Sequence, residues 1–430
     1  MKLSRFLLYT NLPDNSVAIR QTMDGGLMAL DSEDANAFKS GDFTAFNTDE
    51  IRLMKEQLFI RDDDIDEGNV LVNEFKKTWH GGDTFILHLM PTNNCQLDCP
   101  YCYEDGICRK SNMGKDVEEC LYPWISEYLR TRKIKTLRLV WFGGEPLLRA
   151  KQIERMTPLM ANIAQQSSVA LETQVVTNGV LLSKQLLEVL STHNLQRLQI
   201  TLDGPQLIHD GRRFFKNSNR GTFTKIFRNI QMALAGGYIE KVDLRMNIDR
   251  ANRLYIPELI DFIAEQNLQN QMKLSIGIIT GTIPQEECGG ANGYFRTFGF
   301  PEEEAISAYL EIASVVKSAG FEIIDQLAFG PWCIARHPNA WMVGPKGEIY
   351  RCLSMVGRED GVMGYLPDVP SNKPNELETI KRMRECLRSD CPLVPICGGG
   401  CLFENHINGN ICPRNLLTKI NQGLTRLNYG

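Results

Sequence analysis

Three thiols fall within eight residues in the stretch Pro91-Thr-Asn-Asn-Cys-Gln-Leu-Asp-Cys-Pro-Tyr-Cys-Tyr-Glu104: Cys95, Cys99 and Cys102, spaced Cys-x3-Cys-x2-Cys. A loop of this kind can wrap one face of a metal or a cluster without help from distant chain. Iron–sulfur clusters are held by cysteine thiolates, usually four to a cluster. With three, a four-iron cluster keeps one iron open to another ligand. A structural zinc site would instead close four ligands around one ion, typically from two short cysteine knuckles. Disulfides account poorly for this stretch, because three cysteines so close together cannot pair evenly.

A second concentration of thiols lies near the other end of the chain. Cys333 is followed by Gly347-x4-Cys352, then by Cys386-x4-Cys391-x5-Cys397-x3-Cys401, and finally by Cys412. Pro392, Pro395, Gly398–Gly400 and Pro413 mark this region as loops rather than packed helices. A loop-rich segment with little apolar material needs staples, and metal clusters supply them.

The elements that must position these thiols follow from periodicity. The first cysteine loop comes directly after the apolar run Phe85–Met90, the first of six strand-like segments. The others are Leu137–Phe142, Leu171–Thr177, Leu195–Leu202, Val242–Ile248 and Lys273–Ile279. Helical patterns lie between them at Lys115–Arg130, Lys151–Ala164, Lys184–His193, Phe223–Ala235 and Ile256–Glu265. Such alternation predicts βα units on a parallel sheet with right-handed crossovers. Six units are fewer than the eight of a closed barrel, so the expected fold class is α/β, a partial (β/α)6 barrel.

Other motifs then fall at the C-terminal ends of the strands, the face where α/β barrels carry their active sites. The second strand ends in Trp141-Phe-Gly-Gly-Glu-Pro-Leu147. Its Gly143 and Gly144 permit close backbone approach to a ligand, and its Glu145 can accept from an ammonium group. The third ends in Thr177-Asn-Gly179 and the fourth in Thr201-Leu-Asp-Gly-Pro205. Each alone is an ordinary turn signal; together they place hydroxyl, amide and carboxylate groups around one mouth.

Residues 1–80 read as a separate small α+β module. Short apolar runs at Phe6–Tyr9, Val17–Ile19 and Gly26–Leu30 precede a helical stretch at Thr48–Glu56, an acidic connection Arg61–Glu67 and the run Val70–Trp79. The predicted organisation is therefore 1–80, a barrel over 81–325 and a loop-rich iron–sulfur domain over 326–430.

Composition narrows the function classes. The 430 residues are 43% hydrophobic and 23% charged, ordinary for a globular protein. A net charge of −5 offers no basic footprint for nucleic acid, and no apolar run approaches the roughly 18 residues that span a bilayer. Met1-Lys-Leu-Ser-Arg-Phe-Leu-Leu-Tyr9 lacks the long apolar core of a signal peptide. Thirteen cysteines without an export signal point to a reducing compartment, the cytoplasm, and to metal or cluster ligation.

Cys-x3-Cys-x2-Cys with an aromatic before its last cysteine, followed by Gly-Gly-Glu-Pro, resembles the radical S-adenosylmethionine superfamily. The resemblance implies a [4Fe–4S] cluster on Cys95, Cys99 and Cys102, with its open iron chelated by the amino and carboxylate groups of S-adenosylmethionine. Reductive cleavage then gives methionine and a 5′-deoxyadenosyl radical that abstracts a substrate hydrogen. By the same resemblance, Gly143, Gly144 and Glu145 hold the methionine ammonium and Tyr101 lies beside the adenine. Thr201 and Arg213 contact the ribose and the carboxylate.

The C-terminal spacing resembles the SPASM domain, an auxiliary-cluster extension of radical enzymes that modify peptides and proteins. It implies one cluster on Cys333, Cys352 and Cys401, and a second on Cys386, Cys391, Cys397 and Cys412. Two departures stand out. The usual Cys-x2-Cys is widened to Cys386-x4-Cys391, and the first of these clusters has three cysteines, its fourth position open or filled by another group such as His337. A zinc knuckle is the competing reading of the region. Cys120 fits a buried small hydrophobe in a helix. Cys108 has no regular spacing to the first loop, and Cys288 sits in a Gly-rich insertion, 281–293, that could line a substrate cleft.

The implied activity is a maturase that installs a thioether, carbon–carbon or ether cross-link in a ribosomally made peptide. Its partners would be a precursor peptide with a leader and an electron donor such as flavodoxin or ferredoxin, with neither nucleic acid nor membrane. Some ninety residues before the cluster loop leave room for a leader-recognition module. Sulfatase-type protein oxidation is the alternative, although Cys352 is followed by Leu353 where that sibling family carries a carboxylate proposed as its base. A non-catalytic iron–sulfur electron-transfer protein is a third reading. The six histidines are scattered, and no acid–base dyad or nucleophile triad stands out, so no catalytic residue is assigned.

Overall fold

The computed structural model describes residues 1–104, 110–218, 220–281, 292–323, 333–369, 375–409 and 412–429. Its contacts divide the chain into two compact units. One joins Met1–Gly81 to Leu327–His337 and Pro374–Gly430; the other holds Gly82–Gln326 and Pro338–Lys373.

In the first unit, β1 (Lys2–Leu3) pairs antiparallel with β5 (Ile60–Arg61), and β2 (Leu7–Asn11), β3 (Val17–Gln21) and β4 (Leu27–Leu30) form an antiparallel meander. The helix Ser32–Ser40 starts at Asp31, whose carboxylate accepts from the N–H groups of Glu33 and Asp34. The helix Thr48–Glu56 starts at a capping box of Asn47 and Glu50. These elements enclose one core around Ile19, Phe38, Phe46, Phe59 and Ile60.

A second core of the same unit draws on both ends of the chain. Leu71, Val72, Phe75 and Trp79 from the helix Glu67–Gly81 pack with Ile380, Met383 and Leu387 from the helix Asn375–Arg388. Leu393, Val394, Leu417 and the thiols Cys391 and Cys397 complete it. Polar contacts reinforce the join: Arg5 meets Asp390 at 2.7 Å, and the Gln422 amide donates to Tyr9 O at 2.8 Å. The cysteine-bearing loops, poor in apolar residues of their own, thus complete their core with a helix from the first eighty residues. Packing therefore groups residues by contact rather than by the consecutive segments 1–80 and 326–430.

The second unit is built on one ten-stranded sheet. Its centre is β6 (Thr84–Leu89), β7 (Thr136–Trp141), β8 (Ala170–Thr177), β9 (Leu195–Thr201), β10 (Val242–Ile248) and β11 (Met272–Ile278), all parallel and in chain order. These are the six expected strands, within one or two residues, and the intervening helices also fall where periodicity places them. β12 (Glu322–Ile323) extends one edge in parallel. On the other edge β13 (Ala340–Val343) runs parallel to β6, and β14 (Glu348–Tyr350) and β15 (Gly364–Tyr365) follow antiparallel. Residues 338–369 thus pack with the barrel strands.

Alternation explains the layers. In β10, Val242, Leu244, Met246 and Ile248 are buried while Asp243, Arg245 and Asn247 alternate with them on the opposite face. Helices cover the apolar face; Phe223–Ala235, for example, buries Phe223, Ile226, Phe227, Ile230 and Ala233. The result is an α/β partial barrel with a polar inner wall and its strand C-termini at one rim.

Candidate active site and cysteine pockets

At that rim the first cysteine loop is clasped by backbone. Gly144 N donates to Thr92 O at 3.2 Å and Glu145 N to Asn94 O at 2.8 Å, so the loop after β7 lies directly on the loop after β6. A Cβ on Gly144 would fall 2.6 Å from both Asn93 O and Asn94 O. One on Gly143, whose φ is +135°, would fall 2.5 Å from Thr92 O. The two glycines are needed, then, for contact with the cysteine loop itself. On its other side the loop is pinned by Asp98 N to Phe214 O and Lys216 N to Gln96 O.

Glu145 ties the ends of β7 and β8 together. Its fully buried carboxylate accepts from Thr177 Oγ1 and Asn178 N, both at 2.7 Å, and from Leu147 N at 2.8 Å. Burial pushes its pKa up, and these three donors oppose the shift. The side chain is thus enclosed by protein donors, and the motifs Gly-Gly-Glu and Thr-Asn-Gly are halves of one arrangement. Asn178 also reaches the cysteines, with Nδ2 3.8 Å from Cys95 Sγ.

A second network surrounds Tyr101. Its hydroxyl donates to the Asp203 carboxylate and accepts from Arg213 Nη1 at 2.6 Å, and Arg213 lies 3.8 Å from the same carboxylate. Asp203 also accepts from Asn247 N at 2.8 Å. The Arg212 guanidinium lies over the Tyr101 ring and pairs with Asp249 at 2.9 Å, and Tyr294 OH joins that pair. All of these except Asn247 and Tyr294 are buried. Thr201 ends β9, buried and in register with Arg245 of β10. Asp249, Arg212, Asn247 and Tyr294 went unnoticed in the sequence because nothing in their local spacing announces a shared rim. The positional hints were that Asn247 and Asp249 flank the C-terminal end of β10 and that Arg212 adjoins Arg213.

Cys95, Cys99, Cys102 and Gly144 line one cavity of about 50 Å³, with Glu104 and the ammonium-bearing Lys110 and Lys216. Burial pushes the Cys95 thiol up to about 12 and moves Cys99 in the same direction. Buried thiols of this kind are neutral until a metal takes the proton's place.

In the first unit, Cys386, Cys391, Cys397 and Cys412 line a single cavity of about 170 Å³. The widened spacing is accommodated by a reversal after the helix Asn375–Arg388: Asp390 takes φ +47° and Cys391 N donates to Cys386 O at 3.2 Å. Burial, with the other three thiols nearby, pushes Cys386 up to about 11. Gly398, Gly399 and Gly400 all have positive φ, and this left-handed run carries Gly400 N to 3.0 Å from Cys397 Sγ. Cys333 and Cys401 belong to this unit, whereas Cys352 follows β14 in the other. His337 is half-buried. Cys120 is half-buried in the helix Lys115–Thr131, and Cys108 and Cys288 lie outside the described residues.

Among the described residues no disulfide forms, and no three His, Cys, Asp or Glu side chains converge tightly enough to enclose a single metal ion. Both cavities instead set sulfur donors around an open volume, a donor set that suits a cluster in which each thiolate takes a different iron. No helix among the described residues is long and apolar enough to cross a membrane.

Comparison with known proteins agrees with this geometry. Residues 89–263 match the model of the radical SAM superfamily. A GTP 3′,8-cyclase of Synechococcus sp. is 36% identical over 29% of this chain and 34% of that protein. The radical SAM cyclopropyl synthase TigE of Paramaledivibacter caminithermalis is 23% identical over 50% of this chain and 52% of its own length. The matches thus span about a third to a half of these curated relatives. Among solved structures, anSMEcpe with bound AdoMet and the Kp18Cys peptide superposes with a TM-score of 0.60 at 14% identity, over 80% of this chain and 98% of that one. Streptococcus suis SuiB bound to its precursor peptide SuiA does so with a TM-score of 0.50 at 14% identity, over 93% and 95%. The segment 89–263, which carries the three-cysteine loop and the strand ends that clasp it, belongs to the radical SAM superfamily.

Proposed function

We propose that this protein is a peptide maturase that modifies a ribosomally made precursor by hydrogen abstraction. The observation that carries the cofactor half of the reading is the enclosure of Cys95, Cys99, Cys102 and Gly144 around one cavity at the barrel rim. A [4Fe–4S] cluster and S-adenosylmethionine bound there supply the 5′-deoxyadenosyl radical. The three thiols ligate the cluster, and the backbone of Gly143–Glu145 receives the methionine end. The Glu145 carboxylate keeps β7 and β8 in position, because its oxygens already serve three protein donors. Tyr101 and Arg213 are held by Asp203 at the same rim, and Thr201 ends β9 there.

The peptide half is supported by the fold. Its likeness to SuiB runs over 93% of the chain, and that protein is seen with a precursor peptide. The cavity of Cys386, Cys391, Cys397 and Cys412 supports an auxiliary [4Fe–4S] cluster, and Cys333 and Cys401 of the same unit are proposed to serve another. Residues 1–80 are the proposed leader-recognition region, and a flavodoxin or ferredoxin in the cytoplasm the proposed electron source. The product is a thioether, carbon–carbon or ether cross-link. The test is anaerobic co-expression with a short precursor encoded beside the gene, followed by mass spectrometry. A mass loss of two hydrogens per linkage is expected. An unchanged peptide, from enzyme that cleaves S-adenosylmethionine, would remove the peptide half and leave the cofactor half standing.

A further inference from the structure

Arg336 is the least expected charge in the first unit. It ends the one-turn helix Ile334–Arg336 directly after Cys333, and only 1% of it is exposed. Its Nη1 donates to Cys397 O at 2.9 Å and its Nη2 to Gly400 O, so the fork brackets the left-handed glycine run between Cys397 and Cys401. Its Nε has no acceptor.

Among the described residues no carboxylate pairs with Arg336. The groups near it that can become anionic are the thiols of Cys333, Cys397 and Cys401; Arg382 adds like charge. A guanidinium stays ionised under all ordinary conditions, and a buried charge is strongly unfavourable unless paired. With neutral thiols Arg336 has no counter-ion; with thiolates committed to metal it has several. Its neighbours, moreover, belong to both cysteine groups, Cys397 to the set around the 170 Å³ cavity and Cys333 and Cys401 to the rest. The backbone groups aimed at sulfur act in the same sense: Gly400 N donates to Cys397 Sγ, and the N–H groups of Glu404 and Phe403 donate to Cys401.

We infer that Arg336 is a positioning residue that serves as the shared counter-charge of the C-terminal cysteine groups, raising the reduction potential of clusters held there. This rests on the reading that those thiols ligate iron–sulfur clusters. Reduction adds negative charge to a cluster, and net charge and hydrogen bonds to its sulfurs set its potential. A fixed cation beside the thiolates therefore favours the reduced form.

The test uses the full chain with Cys95, Cys99 and Cys102 replaced by Ala, so that only C-terminal clusters report. Arg336→Lys and Arg336→Gln are made in that background, loaded anaerobically and titrated potentiometrically with EPR detection. Iron and sulfide are measured on each. Arg336→Gln should favour oxidation about tenfold, which for a one-electron couple is about 59 mV toward negative potential. Arg336→Lys, which keeps the charge, should stay close to the parent. Loss of clusters in Arg336→Gln but not in Arg336→Lys would also support the counter-charge. Equal potentials in all three proteins, equal shifts in both variants, or equal cluster loss in both would overturn it in favour of a purely structural fork. Absence of iron and sulfide from the parent would overturn the cluster reading itself.

Discussion

The two cysteine pockets solve one problem with different materials. At the barrel rim, three thiols sit on a loop that strand ends already hold: Glu145 fastens β7 to β8, and Asp203 fastens Tyr101 and Arg213. In the other pocket, thiols follow one another along glycine- and proline-rich loops, and the supporting core comes from helices at opposite ends of the chain. The rim is a scaffold that can receive a cluster. On the proposed reading, the C-terminal pocket is a wall that a cluster would help to complete, since binding free energy and folding free energy would then be the same quantity.

Removing one thiol from each pocket separates the two most sharply. Cys95→Ala should reduce 5′-deoxyadenosine formation to background while the C-terminal iron remains. Cys391→Ala should lose C-terminal iron and peptide product yet keep uncoupled cofactor cleavage. Metal analysis and chromatography of the two variants decide it, and equal loss of cleavage in both would erase the distinction. Next in size is Trp79→Ala, which opens the shared core of the first unit at about 3–5 kcal/mol. Chemical denaturation should show that loss, with C-terminal iron falling before the rim cluster does.

Glu145→Gln should cost about 2–3 kcal/mol, since a buried carboxylate serving three donors becomes an amide that cannot satisfy all of them. Here the loss belongs to the barrel transition and leaves the first unit's stability unchanged. Gly144→Ala is expected to be smaller, about 1–3 kcal/mol, as Asn93 and Asn94 shift away from the new methyl group. Its clearer readout is weaker S-adenosylmethionine binding by calorimetry.

The barrel was legible because its signals are local. Strand and helix periods, and the glycine and asparagine turns after Trp141 and Thr177, need no knowledge of distant chain. The three-cysteine loop was legible for the same reason. What the sequence concealed is long-range. Nothing near Trp79 announces that it packs beside residues around Met383, and nothing near Ala340 announces that it runs parallel to β6. The role of Gly143 and Gly144 was half legible: close approach was expected, but the group approached is the backbone of Thr92–Asn94. Glu145 was expected to face an ammonium group, and its local sequence could not disclose that Thr177 and Asn178 enclose it. These findings also alter what removing residues 1–80 would do, because the cut exposes Met383 and Leu387 and weakens the cysteine loops together with any leader docking.

The central claim is that the rim thiols hold a cluster that activates S-adenosylmethionine. The most direct measurement is 5′-deoxyadenosine released by the anaerobically loaded protein with excess dithionite and S-adenosylmethionine. Formation of 5′-deoxyadenosine with equal methionine, lost on replacing any one of Cys95, Cys99 and Cys102, is the predicted result. Protein loaded with iron and sulfide that releases none, or a variant lacking one of these thiols that releases as much as the parent, would contradict it.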